Sequence, residues 1–252
     1  ADMILTLNAG SSSVKFALYG AGGEPEERAR GQVEGIGTAP RLSVRAGARA
    51  LADRAEPGAR DHPGALAAVL GLIEEAFAGA GIRAVGHRIV HGGAEHAGPA
   101  VLDAGRLAAL ARLEPLAPLH QPHNLEGVRA AAEAFPDALQ VGCFDTAFHR
   151  TQPRVNETYA LPRHFYEEGV RRYGFHGLSY EHVAGRLREV APALAAGRAV
   201  VAHLGNGASV CGLSDGRSTG CSMGFSPLDG VPMGTRSGQL DPGVVLHLIR
   251  RE

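Results

Sequence analysis

The sequence predicts an α/β fold in which one strand–turn–strand device is used twice. The first copy is Met3-Ile4-Leu5-Thr6-Leu7-Asn8-Ala9-Gly10-Ser11-Ser12-Ser13-Val14-Lys15-Phe16-Ala17-Leu18-Tyr19. The second, residues 199–213, reads Ala-Val-Val-Ala-His-Leu-Gly-Asn-Gly-Ala-Ser-Val-Cys-Gly-Leu. In both, a β-prone run breaks at small polar residues and a second run leaves, the pattern of a hairpin. Between the copies, alanine-rich helical stretches alternate with short apolar runs, as in α/β domains. A device repeated about two hundred residues apart implies a duplicated domain, each copy presenting its turn to a shared cleft.

In chain order, the first hairpin carries the most chemistry. Gly10 removes the Cβ that keeps a ligand off the backbone, and three hydroxyls with the turn amides offer donors to an oxyanion. Lys15, the only lysine in the chain, adds a positive charge on the returning strand. A plain polar turn has the same composition, so one copy alone does not establish a phosphate loop. Residues 20–60 are rich in Gly, Pro, Arg and Glu, and patches such as Arg41-Leu42-Ser43-Val44-Arg45 predict a small antiparallel sheet. Asp61 as a cap, Pro63 in the first turn and the run Ala65 to Ala78 predict a helix ended by Gly79. Gly71 inside it is an unexplained cost. Arg83 to Gly93 reads as a strand entering a glycine turn, and Leu139 to Phe144 as a short buried strand ending at Asp145. Helices are expected over Ala104–Arg112, Asn124–Phe135 and Leu178–Val190. After the second hairpin comes a Gly/Ser/Pro-rich loop from Gly216 to Gly243, then a last helix. The domain boundary falls just after Asp145, giving an N-terminal domain over residues 1–148 and a second over 149–252.

Composition restricts the function classes. Hydrophobic residues are 44% and charged ones 20%, with a formal net charge of −1, which gives no electrostatic case for nucleic acid or a membrane surface. Any basic site is therefore local. Cys143, Cys211 and Cys221 are odd in number and widely spaced, so they read as reduced thiols of a cytoplasmic protein rather than a disulfide framework. The N-terminal apolar run is too short for a membrane span and lacks the basic flank of a signal peptide.

The candidate chemistry sits at strand ends and in loops. Arg88 lies in a mostly apolar strand, where a guanidinium that cannot lose its proton needs an anionic ligand or a carboxylate partner. His87, His91 and His96 invite a metal reading, as do His120 and His123, but residues four apart in a strand share a face without the helical i, i+4 geometry, which disfavours ligation. Asp145 at a strand terminus suits Mg²⁺ or an orienting role, and equally a turn cap. His176 stands between glycines in Tyr173-Gly174-Phe175-His176-Gly177. The loop from Gly224 to Gly238 carries one cation, Arg236, and loops of that length are usually functional or disordered.

Taken together, seven motifs carry a resemblance. They are Asn-Ala-Gly-Ser-Ser-Ser-Val-Lys-Phe at 8–16, Gly-His-Arg-Ile-Val-His-Gly-Gly at 86–93, Pro-Leu-His-Gln-Pro-His-Asn at 118–124, Phe-Asp-Thr-Ala-Phe-His at 144–149, Arg-Tyr-Gly-Phe-His-Gly at 172–177, His-Leu-Gly-Asn-Gly-Ala-Ser at 203–209, and the segment 224–238. In this order and over nearly the whole chain, the sequence resembles the acetate kinase family of the acetate and sugar kinase, Hsp70 and actin superfamily. The resemblance implies a duplicated actin-like (ribonuclease H-like) two-domain ATPase fold. It also implies reversible, Mg²⁺- or Mn²⁺-dependent in-line phosphoryl transfer between ATP and acetate, giving acetyl phosphate and ADP, in a homodimer.

Carried over by residue, the resemblance places Asn8 near the phosphates and metal, and Ser11, Ser13 and Lys15 in the first phosphate loop. His203, Leu204, Gly205, Asn206 and Gly207 fall in the second. Arg88 and Arg236 are implied to hold the carboxylate and the migrating phosphoryl group. Asp145 is implied to organise the metal and acceptor, and His176 to donate to the transition state. Val90, Leu119, Phe175 and Pro227 are implied to line the methyl pocket. Members of the family continue past the position matching Glu252, so the resemblance implies an incomplete second domain and no turnover by residues 1–252 alone. A propionate or butyrate kinase shares nearly all these motifs. A non-catalytic actin- or Hsp70-like switch shares the two hairpins but has no use for Arg88, His176 and Arg236.

Overall fold

The computed structural model describes residues 2–10 and 12–251. It forms two compact units, Ala1–His91 with Pro99–Cys143, and Gly92–Gly98 with Phe144–Glu252.

In the first unit, β1 (Asp2–Ala9) and β2 (Ser13–Gly20) are the expected hairpin, with Asn8 opposite Lys15 and Ala9 opposite Val14. The patches in residues 20–60 become β3 (Glu27–Glu34), β4 (Arg41–Ala46) and β5 (Arg49–Ala55), each antiparallel to the strand before it. On the other flank β6 (Gly81–Ile89) runs parallel to β1. It is followed by β8 (Leu139–Phe144) and a two-residue β7 (Ala100–Val101), in the order β5-β4-β3-β2-β1-β6-β8-β7. The parallel pairing sets Leu7 beside His87, so the carboxyl ends of β1 and β6 arrive together.

The helices of this unit begin where their caps dictate. Asp61 accepts from the Gly64 N–H at 2.9 Å to open α1 (His62–Ala76), with Pro63 in the first turn. Ala65, Leu66, Val69, Leu70 and Ile73 form its buried stripe, packed with Leu5, Val14, Leu18, Val33, Leu42 and Val85. Each such large aliphatic side chain contributes roughly 1.5–3 kcal/mol on burial. Gly71 faces open space, and nothing in the fold explains it. Asp103 caps α2 (Ala104–Ala111) through the Arg106 N–H at 2.7 Å. Helix α3 (Gln121–Ala134) begins before the expected Asn124, because Pro122 is accommodated in a first turn that needs no N–H donor there.

The second unit opens with a 3₁₀ turn over Ala147–Thr151 and two short helices absent from the sequence expectation, α4 (Arg154–Glu157) and α5 (Arg163–Glu167). Helix α6 (Gly177–Val190) and the short α7 (Pro192–Ala195) precede the second hairpin, β9 (Arg198–Leu204) and β10 (Ala208–Ser214). The loop expected from Gly216 is not all loop. Arg217–Cys221 forms β11, antiparallel to β10. Asp215 at φ 50° and Gly216 at φ 68° make the tight turn between them, the left-handed pair that hairpins of this length require. Tyr180, Ala184, Cys211 and Leu213 form the buried centre. Helix α8 (Pro242–Ile249) is capped by Asp241. Among the described residues, no helix is long and apolar enough to cross a membrane.

Candidate active site

In the first unit the convergence of β1 and β6 brings two expected residues into contact. Arg88 Nη1 donates to Asn8 Oδ1 at 3.2 Å. Lys15 stands across the ladder from Asn8 and is exposed. The turn between them is held by its backbone, the Gly10 N–H donating to the Ser13 carbonyl at 2.8 Å. Ser11 lies outside the described residues. Val90, 5% exposed, follows β6 directly. Leu119 is 71% exposed.

In the second unit the site is built around His176. Its backbone is left-handed, φ 58° and ψ 22°, at the N-cap of α6, a conformation costly for any residue with a Cβ. Three contacts hold it there. The Gly177 N–H donates to the Asp145 carbonyl at 2.8 Å, and Asp145 itself is buried. His149 Nε2–H donates to the Phe175 carbonyl at 2.8 Å, which leaves His149 Nδ1 to accept from Ser218 Oγ at 2.8 Å. Burial pulls His149 down to about 4, so it stays neutral in this role. Gly174 lies so close that a Cβ there would stand 2.7 Å from the His149 ring.

Around the His176 ring lie the second turn and the arginine loop. His203 stacks on it, centroids 4.1 Å apart, and is itself hydrogen-bonded through Nδ1 to Ser179 Oγ at 3.0 Å. A Cβ on Gly207 would stand 3.2 Å from His176 Nε2 and 3.6 Å from Arg236 Nη2. Arg236 is aimed by Nη1, which donates to the Pro227 carbonyl at 2.8 Å. Farther back, Arg172 pairs with Asp229 at 3.1 Å and the Tyr159 hydroxyl accepts from the Phe225 N–H at 2.9 Å, fixing the base of the loop. Gly205 donates to the Gly207 carbonyl at 3.3 Å, while Leu204 and Asn206 are exposed. Phe175 is 1% exposed.

The family model described as the Acetokinase family matches residues 3–252. The chain belongs to that family. It is 53% identical to an acetate kinase of Methylocella silvestris, covering 99% of this chain and 64% of that protein. It is 52% identical to an acetate kinase of Rhizobium meliloti, covering 98% and 64%. Among solved structures, it matches a propionate kinase from Francisella tularensis with a TM-score of 0.90 and 35% identity, over 99% of this chain and 64% of that one. It matches Porphyromonas gingivalis acetate kinase with a TM-score of 0.83 and 37% identity, over 100% and 64%. The fold is thus the mixed α/β fold of the acetokinases, and the chain spans about 64% of the length of the relatives it matches.

Within this acetokinase chain, sequence reasoning gave no role to the two amides that seat the β6 terminus. Gln121 Nε2 donates to the His91 carbonyl at 3.0 Å, and its Oε1 accepts from the His91 N–H at 3.2 Å. Asn124 Nδ2 donates to the Ala9 carbonyl at 2.8 Å, and its Oδ1 accepts from the Val90 N–H at 2.9 Å. The signal was present: Gln121 and Asn124 share the α3 face of Leu125, Val128 and Ala131, and amides on an apolar helix stripe need partners. His62 was also missed as a partner of the turn, its Nε2–H donating to the Gly10 carbonyl at 2.6 Å.

The donor set bears on the metal. Among the described residues no group of three or more His, Cys, Asp or Glu side chains could hold an ion. Mg²⁺ commonly takes one or two protein oxygens, completing its shell with water and substrate phosphates. Asn8 Oδ1 in the first unit is an oxygen donor of that kind, and so, by itself in the second unit, is the buried Asp145 carboxylate; the chemistry of each residue fits such an ion.

Proposed function

We propose that this chain carries the acceptor and phosphate-handling residues of an acetate kinase, transferring a phosphoryl group directly between ATP and acetate. The observation that carries the reading is the bare Cα of Gly207, which faces His176 Nε2 and the Arg236 guanidinium together. A small residue opposite two fixed donors leaves room for a phosphoryl oxygen. In a loose phosphoryl-transfer transition state, charge lies on the equatorial oxygens, and pre-set donors are worth most there. Acetate is already ionised at neutral pH, so no general base is needed. The difficulty is repulsion between carboxylate and phosphate, several kcal/mol at close range. Arg88, oriented by Asn8, supplies a planar fork suited to one of those anions. Asn8 and Asp145 would each offer an oxygen to Mg²⁺, which when bound would neutralise further phosphate charge. Ser13, Lys15 and the turn amides serve the first phosphate loop, and His203 to Gly207 the second. Val90, Leu119, Phe175 and Pro227 are each assigned a part in recognising the acceptor methyl. The reading extends to residues 1–148 and 149–252 as the two domains, and to a cytoplasmic homodimer.

The structural match to a propionate kinase favours a second reading, in which the acceptor is one methylene longer. Hydroxamate detection of acyl phosphate separates the two. It is run with acetate, propionate and butyrate on residues 1–252 and on the chain continued to the length of its relatives. The expected order of kcat/KM is acetate first. No acyl phosphate from any acid in either form would overturn the reading.

A further inference from the structure

Two residues given no individual role by the sequence reading meet His176 from behind. Tyr180, one turn along α6, and His176 both reach Ser209 on β10. Tyr180 Oη lies 2.5 Å from Ser209 Oγ, and Ser209 Oγ lies 2.9 Å from His176 Nδ1. Tyr180 and Ser209 are both fully buried. The direction of each hydrogen bond follows from counting protons. Burial pushes the Tyr180 phenol up to about 12, so it keeps its proton, and a buried proton needs an acceptor. The phenol's other hydrogen-bond partner, the His203 backbone, acts to lower it and is therefore a donor to Oη, so Tyr180 Oη–H donates to Ser209 Oγ. Ser209 must then pass its own proton on. Cys221 also hydrogen-bonds with Ser209, but its thiol is pointed at the Phe175 carbonyl and its sulfur is a weak acceptor, whereas His176 Nδ1 is in line to accept.

We propose that Tyr180 and Ser209 are positioning residues that fix His176 as its Nε2–H tautomer, so that the nitrogen facing Gly207 and Arg236 is always the donor. The chain Tyr180 Oη–H to Ser209 Oγ–H to His176 Nδ1 moves no proton during turnover; it selects in advance which nitrogen carries one. With the other tautomer, Nε2 would present a lone pair to the phosphoryl oxygens and repel them. The proposal gives His176 its use through the reading of Gly207 as a phosphoryl site, but the tautomer itself can be measured without substrate.

The test is long-range ¹⁵N–¹H NMR of the imidazole rings in ¹⁵N-histidine-labelled chain at a pH where His176 is neutral, its signals assigned by their loss in His176→Gln. The unaltered chain should show the Nε2–H pattern. Ser209→Ala should lower the Nε2–H to Nδ1–H ratio on the order of five- to tenfold, the effect of losing one neutral hydrogen bond. Ser209→Thr, which keeps the hydroxyl, should restore it. Tyr180→Phe removes one oxygen from a buried ring and serves if Ser209→Ala does not fold; it should lower the ratio in the same direction. An Nδ1–H pattern in the unaltered chain, or an unchanged ratio in folded Ser209→Ala or Tyr180→Phe, overturns the proposal. Acyl phosphate formation, measured separately, reports on the phosphoryl-transfer reading, so the two can fail independently.

Discussion

The side-chain amide of Asn124 donates to the carbonyl of Ala9 at 2.8 Å, across 115 residues of sequence. With its oxygen on the Val90 N–H, one side chain ties the carboxyl end of β1 to that of β6. Both strand ends carry proposed site residues, Asn8 and Arg88. Asn124→Leu keeps the branched shape and removes both bonds, leaving a buried carbonyl and a buried N–H unsatisfied. The expected loss is about 2–6 kcal/mol, summed over the two groups, read as a lower midpoint in urea with the slope unchanged. Stability within 0.5 kcal/mol of the parent, a bound set by ordinary surface substitutions, would show that the clamp is dispensable.

Arg88→Ala and Arg236→Ala are each expected to lower kcat by roughly 10³-fold or more in the form of the protein that turns over, as for other arginines on a transferring phosphoryl group. Lysine should rescue poorly because it lacks the planar fork. Near-normal turnover in a folded alanine variant removes that arginine from the mechanism.

Gly207→Ala is a steric test. The added methyl lies 3.2 Å from His176 Nε2 and 3.6 Å from Arg236 Nη2, in the space assigned to a phosphoryl oxygen. Turnover should fall by about 10²-fold, the scale for a misplacement of about 1 Å, while the thermal midpoint stays close to that of the parent. Full activity would mean that the phosphoryl group sits elsewhere.

Val90, buried beside the Arg88 strand end, is expected to limit acceptor length. Val90→Ala should raise the propionate-to-acetate ratio of kcat/KM by an amount worth ~1–3 kcal/mol. A ratio that does not rise would take Val90 out of the methyl pocket.

Acid should destabilise both units through buried histidines. Desolvation lowers His87, His91 and His149 each from 6.5 to about 4. Below 6.5 the unfolded chain binds protons that these folded histidines refuse. Their contribution is therefore complete above pH 6.5 and is lost as pH falls towards 4, each site contributing roughly 3 kcal/mol or less. Urea titrations between pH 7 and 4 should show falling stability. His87→Gln, which can still donate towards Gln140, should flatten the slope by up to one proton's worth. A slope identical to the parent's would mean that His87 is not neutral when folded.

Much of this architecture was legible because local and global signals agree. The β1–β2 turn, the Asp61 cap and the apolar stripe of α1 are written in adjacent residues. The start of α3 was misplaced because Pro122 reads equally as a break and as a first-turn residue. β11 was hidden inside a glycine-rich stretch, although Asp215-Gly216 is a hairpin signal. The site was legible as motifs, residue types in order, but not as contacts. Nothing local in the sequence joins Asn124 to Ala9, Ser209 to His176 or His149 to Phe175. Those pairings come from the fold, and each is a polar side chain whose burial could be guessed but whose partner could not.

The left-handed backbone of His176 sets heat resistance against the side chain it carries. Glycine or asparagine at that position would relax the main chain, so a screen that rewards heat resistance alone would discard the histidine. Gly174 and Gly177 beside it leave no room for a compensating side chain, so under the proposed donor role of His176 main-chain ease is given up for chemistry. Redesigned versions of this chain should be judged at residue 176 first, because under the proposed function the substitution expected to make them sturdier is also the one expected to silence them.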